Sequence, residues 1–249
     1  GPIVQCNKSD NGIDALEKFK EVIFEEKIIN LRCKPYMPDT PENQKIFSII
    51  SKSNYSFTSP KSNILKIVSD EEFLKKVKKK HRYYIKQSEK AELTWKNYSG
   101  SETAKVFSIV YDEMKESKNL NLPIIDIDAF SKILDLNKDG KPRLFTFTGL
   151  ENNKPASVCV VSILDNKAFY HYAASTDRGR VTSASYGMIF NLIKELRNLS
   201  VDELDFGGIS ADGSSAGVDF FKLGFNGEEL LKIGEFDISK SKVYSYVFS

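Results

Sequence analysis

The feature that most constrains the fold is a change of hydrophobic period along the chain. In "SETAKVFSIVYDEMKESK" (101–118) the apolar residues recur at helical spacing. In "PRLFTFTGL", "PASVCVVSIL" and "KAFYHYAAS" (142–150, 155–164 and 167–175) they alternate or run continuously, as in strands. The separators "ENNK" and "DN" carry turn chemistry, so the three runs read as an antiparallel meander. A meander with an apolar face needs a second layer to cover it. Helical patterns lie on both sides of it in sequence: 101–118, a shorter one from Asp126, and "ASYGMIFNLIKELRNLS" (184–200). "VDELDFGG" (201–208) then reads as a strand ending in glycines, and "ELLKIGEF" and "KVYSYVF" as closing strands.

Upstream, "GIDALEKFKEVIFEEK" and "PENQKIFSIISKSNYSF" read as amphipathic helices, each followed by a strand, "IINLRCKP" and "NILKIVS". That order predicts a layered α/β unit, incomplete with so few strands. "SDEEFLKKVKKKHRYYIKQSEKAEL" (69–93) reads as one helix opened by a capping box, Ser69 with Glu72. It carries Lys75, Lys76, Lys78, Lys79, Lys80, Arg82, Lys86 and Lys90, a local charge hidden by a formal net charge of +2. Such a run is either a solvated helix face or a contact for phosphate or nucleic acid, and Tyr83 and Tyr84 interleave with it.

At 249 residues and 41% hydrophobic, the chain can bury a substantial core. No apolar run approaches membrane-spanning length. Three cysteines without CxxC spacing and two histidines argue against a disulfide framework or a zinc site, and no metal is expected. A reducing cytoplasm is the simplest compartment. The opening "GPIVQCN" reads as a protease scar or as native sequence.

Candidate chemistry gathers where strands end in loops. "FYHYAASTDRGR" offers Arg178 and Arg180, and "LDFGGISADGSSAGVDFFK" ends a strand at Gly207–Gly208 and leads to Lys222. Two loops each followed by a cation predict a cleft for an anionic ligand. Lys222 lies among Phe220, Phe221 and Leu223, either as a surface lysine with a packed stem or as a placed charge. Asp205, between Leu204 and Phe206, reads as a buried structural acceptor before a base. His171, between two tyrosines, reads as a packed side chain. GxSxG, GxxxxGK[ST] and GxGxxG motifs are all lacking.

The run "YHYAASTDRGRVTSASYGMIFNLIKELRNLSVDELDFGGIS…AGVDFFKLGFNGE" resembles the Fem family of non-ribosomal peptidyl transferases: a tyrosine-rich strand, an Arg, a Ser-Tyr opening a helix, then "AGV", "FK" and "GF" in order. "KKKHRYYIKQSEKAELTW" and "INLRCKPYMP" are similar to upstream family segments, so the likeness covers nearly the whole chain. The resemblance implies an α/β, GNAT-like mixed sheet with flanking helices. It divides the chain into residues 1–68, the latter part of a first domain, and 69–249, a complete second domain with an N-terminal basic helix. A helical-hairpin arm found in some members is expected to be missing, the helix after Asp126 leading directly to the meander.

What the resemblance implies chemically is aminoacyl transfer from an aminoacyl-tRNA to an amine of a cell-wall precursor. Lys222 would be the catalytic cation facing the developing oxyanion, with Phe221 shaping the pocket. Arg180 and Tyr186 would contact the acceptor's phosphates, with Tyr172 and Asp205 also on the substrate. Lys79, Lys80, Arg82 and Lys86 would face the tRNA or the diphosphate. No cofactor is expected beyond the aminoacyl-tRNA co-substrate. The partners implied are that tRNA and a UDP- or lipid-linked precursor, in a cytoplasmic protein with a peripheral contact to the inner membrane face. No convincing protein base is apparent. Two alternatives stand beside this reading: a GNAT-type acyltransferase using acyl-CoA, whose glycine-spaced loop "DRGRVTSASYG" lacks, and a non-catalytic RNA-binding module.

Overall fold

The computed structural model describes residues 9–26, 28–53, 59–119, 121, 124–129, 143–210, 213 and 215–239. In chain order its elements are α1 (Ser9–Glu25), β1 (Asn30–Cys33), α2 (Pro41–Phe47), β2 (Ser51–Lys52), β3 (Lys61–Lys66), α3 (Asp70–Lys76), α4 (Lys79–Lys90), β4 (Thr94–Ser99), α5 (Ser101–Lys118), β5 (Leu144–Glu151), β6 (Lys154–Leu164), β7 (Lys167–Ser175), α6 (Asp177–Val181), α7 (Ala184–Asn198), β8 (Glu203–Gly208), α8 (Ala216–Leu223), β9 (Glu228–Leu231) and β10 (Phe236–Ser239). The mixed α/β class expected from the sequence is observed. The strand expected at "KVYSYVF", most of the helix after Asp126, and the opening Gly-Pro lie outside the described residues.

The chain forms two compact units, 1–62 with 208–214 and 229–249, and 63–207 with 215–228. The sequence reading divided the chain once, at 68/69. The difference arises because β10 returns to pair antiparallel with both β1 and β2, which draws the C-terminal segment into the first unit. That small sheet is held by Leu16, Ile23, Ile46, Phe47, Phe236 and Ile238, and by a two-pronged ion pair from Arg32 to Asp237, at 2.7 and 3.0 Å. The helix expected over 41–57 is shorter. It ends at Phe47, and the chain turns into β2.

The second unit carries strands in the order β4-β5-β6-β7-β8-β3. The meander is β5–β6–β7, antiparallel throughout, and Asn152 and Asn153 turn its first corner with φ of 48° and 62°. Asparagine tolerates that left-handed conformation, and two such residues make the hairpin turn that matches strand twist. One face of the sheet packs Phe145, Phe147, Cys159, Val161, Leu204 and Phe206 against α7 and α4. The other packs Leu144, Val158, Val160 and Ala174 against Val106, Phe107 and Val110 of α5. β4, "TWKNYS", extends the meander at its edge and is not foreseen from the sequence.

The basic segment is two helices, not one. Val77, fully buried, takes extended backbone (φ −62°, ψ 136°) and separates α3 from α4. Ser69 caps α3 by accepting from the Glu72 amide at 3.3 Å, but the Glu72 carboxylate pairs with Lys76 at 2.8 Å and leaves the box unreciprocated. α4 then crosses α7 where Gly187 faces Ser88 and Trp95. A Cβ at Gly187 would meet the Ser88 Oγ at 2.2 Å and its Cβ at 2.8 Å. Elsewhere in a helix glycine-to-alanine stabilises. Here the sign reverses: Gly187→Ala is expected to cost about 1–3 kcal/mol through overpacking, read as a fall of several degrees in Tm in a thermal melt.

Candidate functional site

The candidate site forms where two strands part. β7 and β8 run parallel through three pairs, Lys167 with Glu203, Ala168 with Leu204, and Phe169 with Asp205. Beyond Phe169 the register of β7 on β6 shifts. Tyr170 lies opposite Val161 and Tyr172 opposite Val160, so His171 is an extra, bulged residue. A bulge bends its strand and increases the local twist, which turns β7 away from β8. Two strand ends then diverge with backbone groups facing a common gap.

Lys222 fills the gap. A Cβ at Gly207, where φ is +85°, would lie 3.1 Å from Lys222 Nζ and 3.6 Å from the Tyr170 carbonyl oxygen. The ammonium therefore sits between β8 and the diverging part of β7, and the lysine as a whole is half-buried. Its stem rises from the last turn of α8, and α8 is tied down on two sides. The Asn63 side-chain amide on β3 donates to the Lys222 carbonyl at 2.8 Å, and His81 Nε2 on α4 donates to the Phe221 carbonyl at 3.0 Å. Asp205 is buried and accepts from the Gly207 amide at 2.8 Å, which fixes the turn against which Nζ rests.

An aromatic cluster walls the site. Phe221 meets Tyr186 at 5.1 Å, Phe225 at 5.3 Å and Phe206 at 5.7 Å between ring centroids. Tyr186 also meets Tyr84 at 4.5 Å and His81 at 4.9 Å. Burial raises the pKa of the Tyr186 hydroxyl, so it acts as a neutral donor or acceptor. His81 has no exposed surface, and its Nδ1 has no hydrogen-bond partner among the described residues. A Cβ at Gly224 would strike its ring at 1.9 Å, so the glycine of the "GF" pair leaves room for the imidazole.

Arg180, on α6, donates to the Ser175 carbonyl at 3.0 Å and pairs with Asp177. Ser175 and Tyr170 pair with Ser157 and Val161, four residues apart on β6, so these two cationic positions stand roughly 13 Å apart along the strand. Arg178 pairs instead with Glu151, at 2.8 Å. Tyr172 is 40% exposed, with its ring 6.2 Å from that of Phe107. Lys79, Lys80 and Lys86 are exposed on α4, and Lys80 lies 5.1 Å over the ring of Phe220. Arg82 is half-buried and donates to the Leu74 carbonyl at 3.2 Å and to that of Val77, so its guanidinium closes the end of α3. His171 is exposed rather than packed, with Nε2 2.7 Å from the Ser162 hydroxyl. Sequence reading missed Asn63, His81 and Ser162. His81 is hidden inside a lysine run, and only the glycine of "GF" hints at a ring opposite it. Among the described residues no group of three His, Cys, Asp or Glu side chains is placed to hold a metal ion, and no helix is long and apolar enough to cross a membrane.

Comparison with known proteins gives a family signal in the C-terminal part. The FemAB family model matches residues 146–248, which bears out the resemblance read from the sequence. No curated protein matches. Among solved structures the chain is similar to that of FemX, at 17% identity and a TM-score of 0.79, covering 99% of this chain and 81% of that one. It is also similar to the C-terminal domain (DUF2156) of a putative lysylphosphatidylglycerol synthetase from Agrobacterium fabrum, at 9% identity and a TM-score of 0.62, covering 97% and 77%. A third similar structure is L-PGS from Bacillus licheniformis, at 9% identity and a TM-score of 0.55, covering 93% and 75%. At these identities the structural likeness is one of fold.

The buried ring of His81 generates a prediction. Burial lowers its pKa first of all, Lys78 and Lys80 lower it further, and the bonds to the Phe221 and Phe220 carbonyls oppose them. The unfolded chain therefore binds the proton first as pH falls. The stability contributed by neutral His81 is fully present above about pH 6.5 and is lost as pH falls toward the folded-state value. Thermal melts should show Tm declining through this window in the wild type, and His81→Gln should flatten that decline.

Proposed function

We propose that this chain, whose residues 146–248 belong to the FemAB family, is an acyltransferase that moves an amino acid from aminoacyl-tRNA to an amine of a cell-wall precursor. The observation that carries the reading is the Lys222 ammonium in the gap between β7 and β8, beside Gly207 and the Tyr170 carbonyl. In this reaction an amine attacks an ester carbonyl, and negative charge grows on the carbonyl oxygen. A cation fixed beforehand stabilises that charge without reorganising during the reaction. Phe221 and its neighbouring rings exclude water from one side, which strengthens the interaction.

The acceptor reading rests on the separation of the two cationic positions. With Arg180 roughly 13 Å along β7 from the gap, a ligand carrying a diphosphate at one end and an amine at the other could span them. A guanidinium is suited to the diphosphate, though in the free protein Arg180 is paired with Asp177 and must exchange that partner. The donor reading rests on the exposed Lys79, Lys80 and Lys86, beside Tyr83 at 57% exposure. Phosphates and unstacked bases bind to such a mixture of cations and rings. No cofactor enters the scheme; the activated acyl group arrives on the tRNA. On this reading the protein works in the cytoplasm, at the inner membrane face when the precursor is lipid-linked.

The test is a transfer assay with bulk tRNA charged with radiolabelled amino acids and a UDP-linked precursor peptide bearing a lysine amine. Labelled peptide should form, and acetyl-CoA should neither replace the donor nor compete with it. Acetyl transfer from CoA with no aminoacyl transfer would favour the acyl-CoA reading instead. The triple substitution Lys79→Ala, Lys80→Ala, Lys86→Ala should weaken tRNA binding and lower the slope of log affinity against log salt by about 2–3 units.

A further inference from the structure

α8 is turned the wrong way round for a surface helix of a globular domain. Such a helix directs its apolar side to the core and its charges to water. In α8, Ala216, Gly217, Phe220 and Leu223 recur at the spacing of one helix side. All four are exposed, Phe220 by 46% and Leu223 by 39%. Val218 beside them is 52% exposed, while Asp219, the single acid of the helix, is buried. Apolar residues scattered over a surface need no explanation, but a contiguous apolar side from which the acid is withdrawn marks a contact.

The charge around this side is of one sign. The start of α4 lies against the end of α8: the Lys78 amide donates to the Gly224 carbonyl at 2.9 Å, and the Lys80 ammonium lies 5.1 Å over the Phe220 ring. α3 and α4 treat their lysines differently. α3 opens with Asp70, Glu71 and Glu72, and its Lys75 and Lys76 pair with Glu71 and Glu72 at 2.7 and 2.8 Å. α4 opens with no acid and no side-chain cap, and Lys78, Lys79 and Lys80 make no ion pair among the described residues. Three lysines at the positive end of a helix dipole repel it and one another, and an anionic surface relieves both repulsions.

We propose that the outer side of α8, flanked by Lys78 and Lys80, docks on the anionic surface of a lipid bilayer. Phe220 and Leu223 enter the acyl boundary, and the ammoniums stay with the phosphate headgroups. RNA suits a different side of α4. Lys79, Tyr83 and Lys86 recur there at helical spacing, exposed, and offer cations and a ring to phosphates and bases. RNA laid on α8 would stack on Phe220 but leave the aliphatic Val218 and Leu223 in water, whereas hydrocarbon covers all three. Lys222 is rooted in the same helix, so docking brings the β7–β8 gap to the membrane surface, where a lipid-linked precursor presents its amine. Docking through α8 thus gives a surface to the membrane contact in the function proposed above, and rests on that function for its cellular setting alone.

The experiment sediments the full chain with vesicles of phosphatidylcholine, alone or with about one part in three of phosphatidylglycerol. The wild type should bind the anionic vesicles about tenfold or more tightly than the neutral ones, and lose the preference at high salt. Phe220→Ser with Leu223→Ser should weaken binding to anionic vesicles about tenfold or more and leave the binding of bulk tRNA unchanged. Equal weakening of vesicle and tRNA binding would assign the surface to RNA and overturn the proposal. So would equal vesicle binding by variant and wild type, or no binding to vesicles of either kind. Should the double variant fail to fold, Phe220→Trp answers the same question. With anionic vesicles its emission should shift to the blue and be quenched by lipids brominated on their acyl chains, beyond the change that Trp95 gives in the wild type. Emission that neither shifts nor is quenched overturns docking through α8. Aminoacyl transfer without vesicle binding refutes the docking and keeps the proposed function; vesicle binding without transfer does the reverse.

Discussion

β7 and β8 are hydrogen-bonded neighbours for three residues and then separate, and the rest of the site depends on that separation. A parallel pair that stops pairing in a sheet interior leaves carbonyls and amides without ladder partners, at about 1–3 kcal/mol for each group left unsatisfied. The protein meets this cost with polar groups brought from elsewhere. Lys222 extends its ammonium into the gap, and Asp205 takes the Gly207 amide. A gap held open by a bulge and lined by a fixed cation is a preorganised site. Its charge is in place before any ligand arrives.

The position of that cation is set by contacts to backbone rather than by its own side chain. α8 has eight residues, too short to be stable alone. Asn63 and His81 each hold one of its last carbonyls, and Gly224 lets the His81 ring lie against the turn that follows. The basic helix α4 therefore has two roles in one element. His81 and Ile85 face inward and anchor α8, while Lys79, Lys80 and Lys86 face solvent. The charge run that reads as a surface feature is the outer side of a helix whose inner side positions the site.

Much of this was legible in the sequence, for physical reasons that also explain what was not. The meander and α7 were readable because their periodicities are long and their turns carry Asn and Asp. β4 was missed because a six-residue edge strand with three half-buried positions has little apolar signal. The break at Val77 was missed because a buried valine in extended backbone fits a helical stripe equally well by spacing. The return of β10 to β1 is a contact over 200 residues and has no local signature. His171 shows the limit most clearly. Alternation assigns each residue of a strand to a face, and one bulge reassigns a residue without changing composition, so only the register reveals that it joins Ser162.

The central claim is that the Lys222 ammonium in the β7–β8 gap stabilises the developing oxyanion. The most direct measurement is the single-turnover rate of aminoacyl transfer by Lys222→Met, which keeps the length of the stem and removes the charge, set beside its thermal melt. The account predicts a loss of about 10²–10³ in rate with the fold retained. Transfer at the wild-type rate by a folded Lys222→Met protein would contradict it.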